Sequence, residues 1–287
     1  MNAAPPGALQ RVGAVIVHYH AGDWLARALD ALRPAESDAP AVIIVDNGSE
    51  GEDLESLARR PGVSVDRPGR NLGFASGVNR GAARLDAELL LILNPDCLLE
   101  PGDLLRLVAE LDAHPEAALV SGRVVDADGR EQRASRRVLP TPRRVAREML
   151  GRPGGIDRSD GPAPEESVEV EAVSGACMLV RSAIFRELGG LDEDYPMHFE
   201  DLDLFARIRA AGRSLRWIPD VRIVHAGGVS SARRPAAVAW AKHRGLLRYL
   251  RRHCLHGRRA WQLPMLAIPI LAHGAWASAR AALGARR

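Results

Sequence analysis

Three unbroken apolar runs, each ending in polar residues, constrain this chain more than any other feature. The runs are VGAVIV (12–17), AVIIV (41–45) and the apolar part of ELLLILNPD (88–96), and amphipathic segments separate them. Strands that lack alternating polar residues are buried on both faces, which is typical of parallel strands covered by helices. The pattern therefore predicts a doubly wound α/β fold with a mostly parallel central sheet flanked by helices.

Polar residues follow each of these strands, where doubly wound folds bind their ligands. The clusters are 18–20, 46–49 and 94–96. A carboxylate at Asp46 could accept hydrogen bonds from a nucleobase or ribose, and Asp96 offers the oxygen ligands that Mg²⁺ or Mn²⁺ prefers beside a diphosphate. A plain turn at 46–49 and a helix cap at Asp96 remain alternatives. Together the clusters favour a nucleotide site.

A second group of chemically capable residues lies in the C-terminal half. Glu200, Asp201 and Asp203 follow large apolar side chains, and loss of water there could raise the pKa of a carboxyl group toward that of a general base. The alternative is that these acids only favour a helix N-terminus. His225 ends an apolar strand and could be a metal ligand or a structural histidine.

Regular periodicity disappears between Gly122 and Ser167, a segment rich in Arg, Pro and Gly. A long stretch of this kind is usually a functional flap or is partly disordered. We expect a mobile flap over part of the substrate site, with Arg136 and Arg137 among the residues that attract an anionic substrate. A solvated disordered loop is the alternative.

The C-terminal tail is basic. All 36 acidic residues lie in the first 220 positions, and 13 of the 39 Lys and Arg residues follow Asp220. A basic tail meets either nucleic acid or an anionic membrane. Nucleic acid is disfavoured because the tail lacks interleaved exposed aromatic residues and the remainder of the chain is acidic.

One stretch of the tail, from Ala260 to Ala279, contains no charged side chain. At about 1.5 Å per residue it could just span a membrane core of about 30 Å. Gln262, His273 and Gly274, together with Pro264 and Pro269, lower its hydropathy and interrupt its helix, so we expect an interfacial or re-entrant helix. The alternative is that this stretch packs on the remainder of the chain or on a second subunit, and in the second case the protein would form an oligomer.

Taken in order, the motifs of this chain resemble those of glycosyltransferase family 2, and in particular its rhamnosyltransferase-like branch. The resemblance runs from Val12 to Ser231 and rests on VIVHYH, VIIVDNGS, NLGFASGVNRG, LLILNPD, SGACMLVR, GGLDEDYPMHFEDLDLFARIRAAG and VHAGG. It implies a GT-A fold, which is a Rossmann-like sheet flanked by helices, here with a C-terminal helical tail. It also implies a catalytic domain over 1–231, with 122–167 as flap or insertion, and a tail over 232–287.

The resemblance assigns the donor-binding residues. Asp46 matches the carboxylate that contacts the nucleobase or ribose, Asn71 lies in the family's donor-contacting loop, and Tyr19 follows the first strand. Asn94 and Asp96 stand in the place of the D-x-D motif, with Asn94 at the position of its first Asp.

The catalytic and metal-binding residues follow in the same way. Asp201 resembles the general base of the E-D motif, and Glu200 could orient or replace it. Asp96 and His225 would hold a divalent cation, Mg²⁺ or Mn²⁺, which stabilises the charge on the leaving diphosphate.

The implied function is inverting transfer of a sugar, with rhamnose as the leading guess, in cell-surface polysaccharide synthesis. The donor would be a nucleotide sugar such as dTDP-rhamnose or a UDP-sugar, and the acceptor a glycan or a polyprenyl-linked sugar. A catalytically weak sugar-nucleotide-binding homologue and a nucleotidyltransferase remain alternatives.

The expected location is cytoplasmic, peripheral on the inner face of the cell membrane. Three separated cysteines without a C-x-x-C pair, and an N-terminus without a basic segment followed by an apolar run, indicate a reduced cytoplasmic protein.

Overall fold

A computed structural model of the protein describes residues 7–33, 39–49, 51–52, 54–152, 155–159, 161–195, 197–227 and 235–284. Within these residues the N-terminal half alternates strands and helices. In chain order the elements are β1 (Val12–His18), α1 (Asp23–Leu32), β2 (Ala41–Asp46), α2 (Glu55–Ala58), β3 (Val63–Asp66), α3 (Phe74–Ala82), β4 (Leu89–Leu93), β5 (Cys97–Leu98) and α4 (Pro101–Ala113). The three apolar runs are strands, as predicted.

The remaining elements follow α4 in the chain. They are β6 (Ala117–Val125), β7 (Arg136–Arg137), α5 (Pro142–Met149), β8 (Val168–Val170), β9 (Ala172–Val173), β10 (Cys177–Arg181), α6 (Ser182–Glu187), α7 (Glu200–Ala210), β11 (Ser214–His225), α8 (Pro235–His253) and α9 (Gln262–Gly284). SLRWI and VRIVH, which read as two strand-like segments, belong to the single strand β11. Its register against β6 shifts between Ile218 and Arg222, so the chain passes Pro219 without ending the strand.

The main sheet has the order β3-β2-β1-β4-β10-β6-β11-β5, with β8 added to β11. The first four strands are parallel, as are β6 and β11, whereas β10 runs antiparallel between β4 and β6. The predicted α/β fold is confirmed, and the sheet is parallel on its N-terminal side and mixed beyond β4.

Alternate residues of the central strands point into two separate cores, which is why the runs carry no polar positions. On one face Ile16 and Leu91 pack with α1 and α4. On the other face Val15 and Ile92 pack with α3, α6, α7 and α8. The helices of both layers therefore cover the sheet and leave the strand ends free to carry the site.

The segment 122–167 contains more regular structure than the sequence analysis expects. The end of β6, then β7 and α5 all lie within it. Arg136 is buried, its Nε lies 2.8 Å from Glu131 Oε1, and its guanidinium is 5.0 Å from the centre of the Trp217 ring. Elements of two to eight residues joined by ion pairs leave no hydrophobic period to detect. Arg136 is thus part of the packing, which contradicts the expectation that it attracts substrate.

The two tail helices form a hairpin, and α8 attaches it to the rest of the protein. Arg248 pairs with Asp192 at 3.1 Å, and His253 Nε2 lies 2.7 Å from Asp203 Oδ1. The two helices approach each other closely, since a Cβ at Gly274 of α9 would lie 2.8 Å from the ring of His243 in α8. The proposed domain boundary at 231 lies outside the described residues.

The expectation that prolines interrupt the α9 segment is wrong. The helix continues from Gln262 to Gly284 with Pro269 inside it. Pro264 lies in the first turn, where the missing N–H has no intrahelical partner to lose, and Pro269 is on the exposed side, where water can satisfy the carbonyl that it leaves free. In the described part of the chain, no helix is long and apolar enough to cross a membrane.

Gly122 offers a test of the sheet, because β11 crosses it closely. A Cβ at Gly122 would lie 2.4 Å from Val221 Cγ1 and 2.6 Å from Val221 O. We expect Gly122→Ala to lower the free energy of unfolding by about 1–3 kcal/mol through overpacking. Gly102→Ala is the control, since nothing lies within 4 Å of a Cβ there. Urea denaturation midpoints that are equal for the two variants would contradict this close approach.

Candidate active site

The C-terminal ends of β1 and β2 place the first predicted site residues side by side. His18 and Asp46 are register partners across the two parallel strands, and Tyr19 follows His18 directly. The Asp46 side chain is nearly buried, and its Oδ1 accepts a hydrogen bond from Ser49 N at 2.9 Å. This hydrogen bond stabilises the turn after β2. The turn and the nearly buried Asp46 carboxylate, which the sequence offers as alternatives, are therefore both present.

The loop that carries Asn71 is fastened to this turn by Asn47. Asn47 Nδ2 donates to Gly73 O at 3.0 Å, and Leu72 N donates to Asn47 Oδ1 at 3.3 Å. The structure therefore brings Asn71 to the strand end that carries Asp46, as the sequence analysis expects.

Asn94 and Asp96 lie at the end of β4, on the same edge of the sheet. Asn94 N donates to Ala176 O at 2.8 Å, and Ala226 N donates to Asp96 O at 3.0 Å. These backbone bonds join the end of β4 to two distant segments, one before β10 and the other at the end of β11. Because β11 pairs with β5 at His225 and Cys97, His225 also reaches this edge.

Asp96 and His225 meet in a geometry that suits a cation. His225 Nε2 lies 3.3 Å from Asp96 Oδ1. On the other side of the ring, Gln132 makes two contacts with the same histidine: its Nε2 donates to His225 O at 2.6 Å, and its Oε1 lies 2.9 Å from His225 Nδ1.

The two Gln132 contacts determine where the neutral imidazole carries its proton. A backbone carbonyl can only accept, so the amide nitrogen of Gln132 must face His225 O and the amide oxygen must face Nδ1. Nδ1 therefore donates, and the lone pair of Nε2 points toward the Asp96 carboxylate. Two acceptors so close need a proton or a cation between them, and this donor set fits Mg²⁺ or Mn²⁺.

Cys97 lies beside the pair but is not a suitable ligand. Its Sγ is within 4.8 Å of the ligand atoms of Asp96 and His225. The side chain is fully buried, its Sγ contacts Ala176 O at 3.5 Å, and burial raises the pKa of the thiol well above its ordinary value. Because a thiolate is the form that binds metal, two protein ligands remain, with open positions for oxygen atoms of a substrate.

Asn94 and Asp201 contact neighbouring residues of the segment that precedes β10, Ala176 and Gly175 respectively. A Cβ at Gly175 would be 2.8 Å from Asp201 Oδ2, so only glycine allows this approach. Asp201 Oδ1 accepts from Leu202 N at 2.7 Å, and Oδ2 pairs with Arg137 Nη2 at 2.5 Å. Arg137 comes from the 122–167 segment, which thus reaches the predicted base directly.

Glu200 differs from Asp201 although the two are adjacent. It is fully buried, and its Oε2 has no hydrogen-bond partner among the described residues. Burial, and next the charge of Asp201, raise the pKa of Glu200 to about 8. The desolvation expected for this cluster therefore acts on Glu200, which is mostly protonated at pH 7, while Asp201 has an arginine partner.

The chain enters α7 through two left-handed residues, His198 and Phe199, with φ of 64° and 76°. Such conformations are costly outside glycine and persist only where packing enforces them, often at functional sites. Here α8 packs against both, since a Cβ at Gly245 would lie 3.1 Å from His198 O and 3.0 Å from Phe199 Cδ2. Burial also lowers the pKa of His198 to about 4, so it is a neutral neighbour of Asp201.

Two residues that organise this site, Gln132 and Gly175, have no predicted role in the sequence. Arg137 is predicted to attract substrate, but its ion pair with Asp201 is not predicted. Gln132 lies where no periodicity marks an element. Gly175 is part of the motif SGACMLVR, and its position in that motif is the signal that could have identified it.

Gln132 provides a test of the metal site. We expect Gln132→Leu to weaken Mn²⁺ affinity about 10- to 100-fold, because the histidine would lose the partner that fixes its tautomer and orientation. Gln262→Leu, in the tail, is the control. Electron paramagnetic resonance of free Mn²⁺ measures the affinity without requiring activity. An unchanged dissociation constant would show that Gln132 does not orient a ligand.

Comparisons with known proteins support the family resemblance that the sequence motifs indicate. The family model described as "Glycosyl transferase family 2" matches residues 14–189. The N-acetylglucosaminyl-diphospho-decaprenol L-rhamnosyltransferase of Mycobacterium tuberculosis is 30% identical over 260 residues, which cover 82% of each chain. Rhamnosyltransferase WbbL of Escherichia coli is 28% identical over 144 residues, covering 49% of this chain and 53% of WbbL.

Solved structures show the same fold. The mannosyltransferase PcManGT from Pyrobaculum calidifontis, solved with GDP-Man and Mn²⁺, has a TM-score of 0.58 at 18% identity, covering 96% of this chain and 75% of its own. GalNAc-T7, solved with UDP, GalNAc and Mn²⁺, has the same TM-score and identity over 75% of this chain, which spans 42% of GalNAc-T7. The predicted GT-A fold is thereby confirmed. From its family match and its rhamnosyltransferase relatives, the chain belongs to glycosyltransferase family 2.

Proposed function

We propose that this protein transfers a hexose, with rhamnose as the first candidate, from a nucleoside diphosphate to a polyprenyl-diphosphate-linked sugar with inversion at the anomeric carbon. The observation that carries the proposal is the short segment before β10, which has Asn94 hydrogen-bonded on one side and Asp201 packed on the other. The proposed diphosphate site and the proposed carboxylate base would thus lie on either side of one short segment. Relatives named as rhamnosyltransferases support the sugar class and the lipid-linked acceptor.

The donor side follows from the strand ends. Asp46 would accept hydrogen bonds from the nucleobase or ribose, with Tyr19 and Asn71 lining the same part of the site. Asn94 and Asp96 would lie beside the diphosphate. A doubly wound sheet binds nucleotides at this edge, which agrees with the placement of all five residues.

A divalent cation would be held by Asp96 and His225, and when bound it neutralises charge on the departing nucleoside diphosphate. The Asp96 carboxylate fits both Mg²⁺ and Mn²⁺, whereas the imidazole nitrogen of His225 suits Mn²⁺ better. The solved structures that contain Mn²⁺ also support Mn²⁺. The neutral imidazole and the carboxylate together supply one negative charge, and the remaining positions stay open to the diphosphate.

Asp201 is the proposed base, which takes the proton of the acceptor hydroxyl as the oxygen attacks the anomeric carbon. Arg137 holds one carboxylate oxygen in place, and the amide of Leu202 holds the other. Glu200 is mostly protonated at neutral pH because burial raises its pKa, so Asp201 is the better candidate to accept this proton. One direct displacement gives inversion.

Two neighbouring substitutions separate the roles of these carboxyl groups. We expect Asp201→Asn to abolish transfer with little change in donor Kd, because the proton acceptor is lost while the diphosphate contacts remain. Glu200→Gln should lower turnover far less at pH 7, since it replaces a mostly neutral carboxyl group by a neutral amide. Turnover of purified acceptor and calorimetry with the nucleotide sugar measure both quantities.

The outcome also separates an enzyme from a binding homologue. If Glu200→Gln inactivates and Asp201→Asn does not, the base is Glu200. If the unmodified protein binds nucleotide sugars but neither transfers nor slowly hydrolyses them, it is the sugar-nucleotide-binding homologue that the sequence leaves open.

We further propose that α9 lies in the membrane interface, with its apolar face inserted. Four large side chains on one face of the hairpin are 56–73% exposed: Trp261, Met265, Ile268 and Trp276. They lie opposite the face that packs on α8, so the hairpin leaves an apolar stripe outside. A stripe of this size with tryptophan at both ends and arginines beside it is typical of an interfacial helix, and the basic tail is attracted to an anionic leaflet.

Flotation with anionic vesicles tests this placement. We expect the protein to float at low salt, and Met265→Ser combined with Ile268→Ser to reduce the bound fraction, because two inserted side chains are lost. Leu150→Ser is the control, since Leu150 is 65% exposed but lies outside the tail. Release by high salt alone would indicate a purely electrostatic contact, and absence of flotation in any salt would disprove the membrane proposal.

A further inference from the structure

A basic cleft of about 650 Å³ lies between the two tail helices, outside the site described above. Leu247, Leu263 and Ala267 form its apolar part. Its charged lining consists of four arginines of α8: Arg244, Arg248, Arg251 and Arg252. None of the residues that line it is acidic.

The four arginines fall into two pairs. Arg248 binds Asp192 and Asp194, and Arg252 binds Asp192 and Asp203, so both carry carboxylate partners from the catalytic domain. Arg244 and Arg251 have no ion pair or hydrogen bond among the described residues.

The unpaired arginines share one side of α8. They are seven residues apart, which is two helical turns or about 10 Å along the axis, and Leu247 lies between them. Two guanidinium groups that flank an apolar floor match a ligand with a doubly charged head and a hydrocarbon chain.

We propose that this cleft binds the diphosphate of a polyprenyl-diphosphate acceptor, with Arg244 and Arg251 on the phosphate oxygens and the first isoprene units against Leu247, Leu263 and Ala267. The inference rests on the proposed function, from which it takes the acceptor class. It assigns that acceptor a recognition site in the tail.

The location of the cleft fits this role on both sides. Gly245, the neighbour of Arg244, packs against the segment that precedes Glu200 and Asp201, so the helix that carries the cleft arginines also contacts the entry to α7. On the other side, the outer face of α9 carries the apolar stripe that we place in the membrane. A lipid whose chain lies in the bilayer would therefore present its head group between the membrane and the base.

Vesicle binding with two matched double variants tests the cleft. The vesicles are phosphatidylcholine with undecaprenyl diphosphate, and phosphatidylcholine with enough phosphatidylglycerol to match the surface charge. The cleft variant is Arg244→Gln with Arg251→Gln. The control is Arg258→Gln with Arg259→Gln, which removes the same charge from the same tail outside the cleft. Thermal unfolding checks that both variants fold.

We expect the unmodified protein to prefer the diphosphate vesicles, and the cleft variant to lose about tenfold in affinity for them per arginine removed. The control variant should weaken binding to both vesicle types equally. Equal behaviour of the two variants, or no preference in the unmodified protein, would overturn the proposal and leave only a general attraction to anionic membranes.

Hydrolysis of a nucleotide sugar by the unmodified protein is measured in parallel, because it tests the proposed transferase activity independently of the cleft. Hydrolysis without a preference for the diphosphate lipid would reject the cleft and retain the transferase. Absence of both would reject both.

Discussion

The pairing of β10 with β4 is the constraint on which the site depends. It sets Ala176 against Asn94 through one backbone hydrogen bond, and it places Gly175 against Asp201. The proposed nucleotide-binding edge is built from the first four parallel strands, whereas the carboxyl groups of α7 come much later in the chain. The antiparallel strand β10, which pairs with β4, brings the carboxyl groups of α7 close to the ends of the parallel strands. Because any side chain at position 175 would meet Asp201 Oδ2, the approach also requires a glycine there.

Two buried carboxyl groups of α7 show how the fold deals with charge removed from water. Burial alone would raise the pKa of Asp203, but His253 and Arg207 bind the carboxylate and hold its pKa below the ordinary value. Glu200 has no such partner, so burial dominates and the group is mostly neutral at pH 7. Folding stability from Glu200 is therefore lost as pH rises from about 4.5 toward 8, since the unfolded chain ionises first. This cost is consistent with selection for the site rather than for stability.

The sequence predicts the parts whose signal is local. The runs of β1, β2 and β4 mark buried strands because every position is apolar, and Asp46 and Asp96 follow from where those strands end. The contacts of Gln132 and Arg137 join positions 93 and 64 residues apart, and no local pattern encodes such pairs. The sequence predicts a raised pKa for the carboxyl cluster at the start of α7, but only the position of Arg137 decides that Glu200 rather than Asp201 remains without a partner. The prolines do not interrupt α9 because Pro264 lies in the first turn and Pro269 lies on the exposed side of the helix, and the sequence alone does not show which side faces outward.

The attachment of α8 gives the tail a structural role, whether or not the proposed contact with a membrane is made. His198 and Phe199 are held in left-handed conformations directly before Glu200, and Gly245 of α8 packs against both. Asp203, two residues beyond Asp201, is bound by His253 of the same helix. The entry to α7 and its first turn are therefore fixed by a helix that also carries the arginines of the cleft. A displacement of α9 at a membrane would reach α7 through α8, because α8 packs against both helices. Recognition of the lipid head group and positioning of Asp201 would then depend on the same element, which explains physically why a basic tail is folded onto the catalytic core instead of hanging from it.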